Sequence, residues 1–261
     1  MLLDGDQVAE FNERGLLFLP ELLDGDEAAV LAAAMPEILA RSGPEIIREK
    51  GDADAARLAF GAHVYSESFR RLSQHPRILE PVRQLLQEEV YLHQSRINPK
   101  EGFGRGADWD WHQDFPGWFH ADGMLEPRCV MVAVFVDACT PVSSPLMVVP
   151  GSQSHGLLDS QLHRDAEGYA LYHMDHDTLA GLADENGIEA LLGPAGSVCF
   201  CHSNLVHGSA NNVSPWRRAI AYLIYNAVSN ACSGKTRAWY QNNRDFTPLQ
   251  PLDDGCLRDL G

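Results

Sequence analysis

The chain has a helix-like residue pattern first and a strand-like pattern afterwards, and this order constrains its fold more than any other feature. Over about the first 88 residues, apolar side chains recur at helical spacing and are interrupted by Asp, Gly and Pro. From residue 90 onward the texture is typical of short strands, rich in β-branched and aromatic residues, over residues 90–97, 130–136, 146–149, 197–201 and 219–225. We therefore predict a mainly β (α+β) fold in which helices flank a β-sandwich or barrel, and not a doubly wound sheet.

The helical part carries its own start and stop signals. Asp4 or Asp6 is suited to cap a first helix that Gly15 closes, and residues 16–19 are predicted to form a short buried strand. Residues 43–56 lose the periodicity and are expected to form a mobile surface loop. Further helices are predicted over about 26–42, 67–74, 77–88 and 177–185. No repeat or long linker interrupts the chain, so we expect one domain over 1–261, with a helical layer over about 1–88 and a β core over about 89–230.

Charge and composition limit the partners that the chain can take. With 36 acidic and 20 basic side chains the formal charge is −16, which argues against nucleic acid and anionic membrane surfaces as partners. No apolar run reaches the roughly 18 residues of a membrane span, and the acidic start is unlike a signal peptide. Six dispersed cysteines then indicate reduced thiols and a cytoplasmic location. The expected partner is a small molecule, and the sequence predicts no oligomeric state.

Two separated motifs suggest a metal site. His112 and Asp114 lie two residues apart, and on a strand such residues point to the same face. Far downstream, His207 is followed by Gly and Ser. Two histidines and one carboxylate form the facial triad of non-haem Fe(II) oxygenases, which leaves the opposite metal face open for a chelating cosubstrate and for O2. We therefore predict that these three residues bind Fe(II) and are catalytic.

Arg218 supplies a candidate anchor for that cosubstrate. A turn at residues 211–215 would bring the strand that carries Arg218 back beside the strand that carries His207. A planar guanidinium suits a carboxylate. A metal that chelates the keto-acid end of 2-oxoglutarate needs such a group for the far carboxylate, so 2-oxoglutarate is the predicted cosubstrate.

The remaining histidines give weaker signals. A single His-x-Asp pair is usually solvated, and it is the combination with His207 and Arg218 that favours iron. His173 and His176 could share a helical turn and bind a metal, but a solvated loop is favoured because no third ligand follows at a usual spacing. His202 is expected on the opposite face of the strand from His207. The sequence leaves open whether three others line the pocket or are structural, namely His93, His120 and His155.

Several segments, taken in order, resemble the phytanoyl-CoA dioxygenase superfamily of Fe(II)/2-oxoglutarate oxygenases. They are residues 91–98, 111–115, 122–124, 145–152, 193–196 and 206–209. Within the superfamily the chain is most similar to bacterial ectoine hydroxylases and free proline or leucine hydroxylases. The resemblance implies a distorted double-stranded β-helix, a jelly-roll core, with flanking helices. By motif position it implies the same three iron ligands, His112, Asp114 and His207.

The resemblance also implies roles for residues around the metal. Gln94, Ser209 and Arg218 are implied as contacts of 2-oxoglutarate. Trp118 matches the position at which ectoine hydroxylases place an aromatic side chain against the substrate. An Asp at position 114 argues against halogenase chemistry, which needs a small residue there to leave room for halide.

The sequence departs from these relatives on the side expected to face the substrate. Met131 stands where they tend to have Ser or Asn, and residues 143–146 read Ser-Ser-Pro-Leu instead of Asn-Gly-Pro-Leu. His120 falls in a segment that is acidic in the relatives. Together with Trp118, His120 and Met131 are therefore the predicted substrate residues, and the identity of the substrate does not transfer.

These observations predict an Fe(II)- and 2-oxoglutarate-dependent dioxygenase that hydroxylates a small polar metabolite or biosynthetic intermediate and releases succinate and CO2. An alternative is a tailoring oxygenase of antibiotic or sugar scaffolds that closes a ring or desaturates. A catalytically silent jelly-roll binding protein is the third reading, which the intact triad disfavours.

Overall fold

Two antiparallel sheets face each other, and helices cover the outer face of the larger sheet. The computed structural model describes residues 1–164 and 170–260. Its helices are α1 (Gly5–Arg14), α2 (Gly25–Leu39), α3 (Ala62–Tyr65), α4 (Glu67–Leu72), α5 (Pro76–Leu86), α6 (Phe115–Gly117) and α7 (His176–Asn186). A π-helical turn, Trp118–Asp122, follows α6 directly. Among the described residues, no helix is both long and apolar enough to cross a membrane.

The larger sheet contains seven strands in the order β1-β11-β6-β13-β4-β3-β2. Their bounds are β1 (Leu16–Leu19), β2 (Ile46–Glu49), β3 (Asp52–Phe60), β4 (Val90–Lys100), β6 (Cys129–Phe135), β11 (Val198–His202) and β13 (Arg218–Ala227). The smaller sheet contains six strands in the order β10-β7-β12-β5-β9-β8. Their bounds are β5 (Trp109–His112), β7 (Leu146–Val149), β8 (Gln161–Arg164), β9 (Ala170–His173), β10 (Glu189–Leu191) and β12 (Val206–Ser209).

Strand β13 shows how the layers separate a structural core from a site. Leu223 and Tyr225 belong, with Leu79 of α5, to the core between the larger sheet and the helices. Alternate residues of a strand face opposite sides. Ile220 and Tyr222 therefore belong to the second core, between the two sheets. Both faces of this central strand are buried, so any polar side chain on its inner face must have a specific partner.

The helix ends follow the signals in the sequence. Asp4 caps α1 by accepting from the backbone N–H of Gln7 at 2.9 Å, and Gly15 ends the helix with a φ of 72°. Asp24 caps α2 in the same way. The predicted strand over 16–19 is β1, and the predicted mainly β fold with flanking helices is confirmed.

Two local predictions are wrong. Residues 43–56 do not form a surface loop: most of them belong to the hairpin of β2 and β3, which extends the larger sheet beyond β4. This stretch is rich in Ala and charged residues and so lacks strand propensity, but pairing with β4 and burial of Arg57 against Glu49 override that preference. His202 does not share a strand with His207, because the chain turns between β11 and β12.

Candidate active site

The three predicted metal ligands converge at one point between the sheets. His112 on β5 and His207 on β12 are directly opposite each other in the antiparallel pairing of these strands. Asp114 lies just beyond the end of β5, where the chain has already turned into helical geometry. Candidate ligand atoms of the three residues all lie within 4.8 Å of one another. The chain turn, and not the pleat of one strand as the sequence suggested, therefore brings Asp114 to His112.

The hydrogen bonds of both histidines prepare them for a metal. Nδ1 of His112 donates to the Asp110 carbonyl at 2.6 Å, and Nδ1 of His207 donates to the Leu205 carbonyl at 2.9 Å. With the proton held on Nδ1, the Nε2 lone pair of each ring faces Asp114, at 3.7 Å for His112 and 3.8 Å for His207. Burial, and secondarily the charge of His207, lowers the pKa of His112 to about 3, so its ring is neutral. This donor set suits Fe(II).

Arg96 orients the carboxylate of the triad. From β4 its Nη2 donates to Asp114 Oδ2 at 2.5 Å, and its guanidinium lies 5.2 Å from the centre of the Tyr222 ring. Burial alone would raise the pKa of Asp114, but the charge of Arg96 and its hydrogen bond to the carboxylate hold that pKa well below its ordinary value. The carboxylate is therefore ionised and held in one orientation. No sequence motif points to this role of Arg96, and the only signal is its place between Gln94 and Asn98 on one strand face.

A cavity of about 510 Å³ opens beside the triad. Its described lining includes the three triad residues, and the other polar or aromatic members are Arg96, Asn98, Trp109, Gln113, Trp118, Arg164, Tyr172, Ser209, Tyr222, Arg237 and Gln241. A concave space of this volume with a few converging polar groups is typical of a site for small molecules.

Arg218 is almost fully buried at 1% exposure. It is not part of the described lining of the cavity, but it lies on the same face of β13 as Tyr222, which is. Its Nε donates to the Ser144 carbonyl at 2.7 Å, and its Nη2 lies 3.3 Å from Ser144 Oγ. Its Nη1 is buried and has no hydrogen-bond partner among the described residues. The same is true of Oδ1 of Asn98, which lines the cavity. A buried guanidinium with an unused N–H pair fits the carboxylate of a cosubstrate.

The other two predicted cosubstrate contacts occupy different positions. Ser209, at the end of β12, lines the cavity. Gln94 lies on the same strand face as Arg96, where its amide donates to the Gln241 carbonyl at 2.6 Å and its Oε1 accepts from Arg96. Gln94 is not part of the described lining, and it contacts Arg96, which is.

A second wall of the cavity carries Trp118 and Arg237. Trp118 is buried and begins the π-helical turn. Arg237 comes from the tail after β13, and its Nη1 donates to Oδ2 of the fully buried Asp122 at 2.9 Å. Nε2 of His93 lies 3.1 Å from the same oxygen. Arg237 is not predictable from the sequence, because it lies in an irregular tail, beyond the segments that carry the resemblance.

The hairpin of β8 and β9 covers part of the cavity. Tyr172 lines the cavity and stacks on His120, with ring centres 5.2 Å apart and an angle of 23° between the rings. His120 is exposed and outside the described lining, so it contacts Tyr172 instead. Met131 is buried on β6 with its sulfur 3.6 Å from Arg96 Nη2, and it too is outside that lining.

His173 and His176 do not lie in the solvated loop that the sequence favours. His173 ends β9, pairs with His112 in the sheet, and lies with Nδ1 2.8 Å from Asp110 Oδ2. His176 begins α7. The prediction of a loop is thus wrong for both, because pairing with β5 fixes the first and the Asp175 cap fixes the start of the helix.

Facing antiparallel sheets with a His–Asp–His centre between them define the class of non-haem Fe(II) oxygenases. Residues 11–220 match the model of the phytanoyl-CoA dioxygenase (PhyH) family. The chain therefore belongs to this family, and the resemblance noted in the sequence is confirmed.

The chain is similar to proteins of established activity over nearly its whole length. It is 34% identical to L-proline trans-4-hydroxylase from Streptomyces griseoviridis over 95% of this chain and 96% of that protein. It is 37% identical to ectoine dioxygenase from Bordetella bronchiseptica over 87% of this chain and 77% of that protein.

Solved structures of EctD from S. alaskensis share the fold. One contains 2-oxoglutarate and 5-hydroxyectoine, and another contains bound Fe. Both are 34% identical to this chain, with a TM-score of 0.82, and cover 96% of it and 86% and 87%, respectively, of the EctD chains. The predicted jelly-roll core is confirmed by this likeness.

Proposed function

We propose that this protein is an Fe(II)- and 2-oxoglutarate-dependent dioxygenase that hydroxylates a small, carboxylate-bearing metabolite. One observation carries the proposal: the buried His112–Asp114–His207 centre and the buried Arg218 guanidinium, which has an unused nitrogen, both lie between the two sheets. Fe(II), with 2-oxoglutarate and O2, supplies the oxidising chemistry and releases succinate and CO2. The family and the two hydroxylases above support the same reaction class.

Different residues of this chain bind the metal and the cosubstrate. His112, Asp114 and His207 hold the metal on one face, and Arg96 keeps Asp114 in place. Arg218 binds the distal carboxylate of 2-oxoglutarate through Nη1, and Asn98 and Ser209 lie on the same side of the cavity. Because the site is buried, these charge-assisted contacts are stronger than they would be in water.

The opposite wall supports a carboxylate-bearing substrate. Arg237 presents a cation to the cavity, and Trp118 offers a flat apolar surface beside it. The volume of about 510 Å³ has room for 2-oxoglutarate and a small metabolite. Proline and ectoine, on which the named relatives act, are small molecules of this kind. The substrate roles of His120 and Met131 stay predictions, and His120 would act through Tyr172.

The proposal is tested first by binding and then by turnover. Anaerobic calorimetry with Fe(II) should show one 2-oxoglutarate site per chain, and no binding would refute the proposal. A panel of small amino and imino acids is then screened for succinate release, with methyl esters of the same compounds as controls. Mass spectrometry of the product separates hydroxylation, a gain of one oxygen, from desaturation or ring closure, a loss of two hydrogens.

We also propose a cytoplasmic location. All six cysteines are buried as free thiols, a state that a reducing compartment maintains.

A further inference from the structure

Ser144 has an unusual backbone conformation for a buried residue. Its φ is 64°, in the left-handed region that only glycine adopts without a steric penalty. Three other described non-glycine residues have a positive φ, and all three are exposed: Glu21, Gln87 and Phe103. Ser144 is 3% exposed. A strained residue in a packed region persists only where its surroundings hold it, and such residues cluster at functional sites.

The strained conformation directs both oxygens of Ser144 towards Arg218. The carbonyl accepts from Nε at 2.7 Å, and Oγ lies 3.3 Å from Nη2. Oγ also donates to the carbonyl of Ala210. Because the hydroxyl proton is used in that bond, a lone pair of Oγ faces the guanidinium. Two of the three guanidinium nitrogens are therefore held by one residue, and Nη1 is the nitrogen left for a ligand.

The same contacts connect Arg218 to the strand of a metal ligand. Ala210 follows β12, which carries His207, and its carbonyl also accepts from Nζ of the buried Lys100 at 2.6 Å. Lys100 lies directly opposite Arg218 in the pairing of β4 with β13. Ser144 thus bridges the guanidinium and the end of β12, the strand that carries His207.

We propose that Ser144 is a positioning residue that fixes Arg218 relative to β12, so that Nη1 meets the distal carboxylate of 2-oxoglutarate. This inference rests on the proposed function. The backbone conformation supplies the carbonyl contact, and the hydroxyl supplies the bridge to Ala210. A glycine would relieve the backbone strain but would remove the hydroxyl bridge to Ala210.

The test compares Ser144→Gly with Ser144→Ala by anaerobic calorimetry in the presence of Fe(II). We expect the Kd of 2-oxoglutarate to rise roughly five- to tenfold in both variants, as for loss of a hydrogen bond to a charged group. The affinity for Fe(II) alone should not change. Gln87→Gly is the matched control, because it removes a left-handed side chain with a φ of 52° at an exposed helix end. It should leave the Kd unchanged.

A double-mutant cycle shows whether Ser144 acts through Arg218. In an Arg218→Ala background, Ser144→Gly should have no further effect on the Kd. An undiminished effect in that background would refute the positioning role, as would an unchanged Kd in both single variants. Circular dichroism establishes that each variant is folded, and Ser144→Gly is expected to fold because it relieves the backbone. If the unaltered protein does not bind 2-oxoglutarate, the proposed function fails instead.

Discussion

The proposed cosubstrate end and the proposed substrate end of the site are built from different kinds of structure. At the cosubstrate end, Arg218 and Ser209 come from strands that are paired on both sides, β13 with β4 and β6, and β12 with β5 and β7. At the substrate end, Trp118 lies in a π-helical turn, Tyr172 lies in the outer hairpin of the smaller sheet, and Arg237 lies in the tail. One end is thus fixed by hydrogen-bonded ladders, and the other by side-chain contacts between irregular or peripheral elements.

This difference predicts which part of the site tolerates substitution and which part does not. A shift of β12 or β13 would break backbone hydrogen bonds on two sides, so the distance between metal and anchor is fixed. A turn, a hairpin edge and a tail tolerate substitution at lower cost, and such elements are where specificity commonly lies. We therefore expect substitutions at the cosubstrate end to affect every substrate alike, and substitutions at the substrate end to depend on the substrate.

The largest effect is expected at the metal centre. Asp114→Ala removes the carboxylate ligand and leaves the Arg96 guanidinium without its carboxylate partner, so bound iron and succinate formation should fall by more than about 100-fold. Iron content and succinate release measure this loss. His155→Ala, at a half-exposed histidine near Glu185, is the control and should behave like the unaltered protein. Full iron binding in Asp114→Ala would overturn the ligand assignment.

Substitution of Arg218 is expected to weaken the binding of 2-oxoglutarate strongly and to leave the binding of iron unchanged. Arg218→Ala should raise the Kd of 2-oxoglutarate by roughly 10- to 100-fold, about 1.5–3 kcal/mol, by loss of a charge-assisted contact. The affinity for iron should be retained. Calorimetry measures both constants. An unaltered Kd for 2-oxoglutarate would show that Arg218 does not bind the cosubstrate, and it would contradict the comparison of the two ends.

A substrate-dependent effect is expected at Arg237. Arg237→Gln should raise the KM of a carboxylate-bearing substrate roughly tenfold or more, about 1.5–3 kcal/mol by the same reasoning, with the Kd of 2-oxoglutarate unchanged. Arg237→Lys keeps the charge beside Asp122 and should recover part of the loss. Equal effects on both ligands would show that the two ends are not independent.

The smallest effect is expected at His120. His120→Ala removes the ring that stacks on Tyr172 and should raise the KM of the substrate only about two- to fivefold, since an aromatic pair contributes roughly 0.5–1.5 kcal/mol. Steady-state kinetics with the substrate and with 2-oxoglutarate separate the two constants. A larger effect than that of Arg237→Gln would instead mean that His120 contacts the substrate itself.

The sequence by itself determined the layers, the candidate metal site and the chemistry class. Strand texture and helix caps depend on neighbours within a few residues, which is why β1, β7 and the start of α1 lie where the pattern predicts them. His112, Asp114 and His207 could be found because a facial triad needs particular residue types in recognisable surroundings. The hairpin of β2 and β3 could not, because its strands form through pairing with β4 in spite of their composition.

Only the tertiary structure decided how the cavity is completed. Arg96 reaches Asp114, Arg237 reaches the cavity from the tail, and Ser144 holds Arg218, and each of these contacts joins segments far apart in the chain. His120 and Met131 are near the site in sequence, yet the described lining of the cavity does not include them. The physical reason is the same in each case. A side chain's type is local information, whereas the direction in which it points depends on which strands and loops pack beside it.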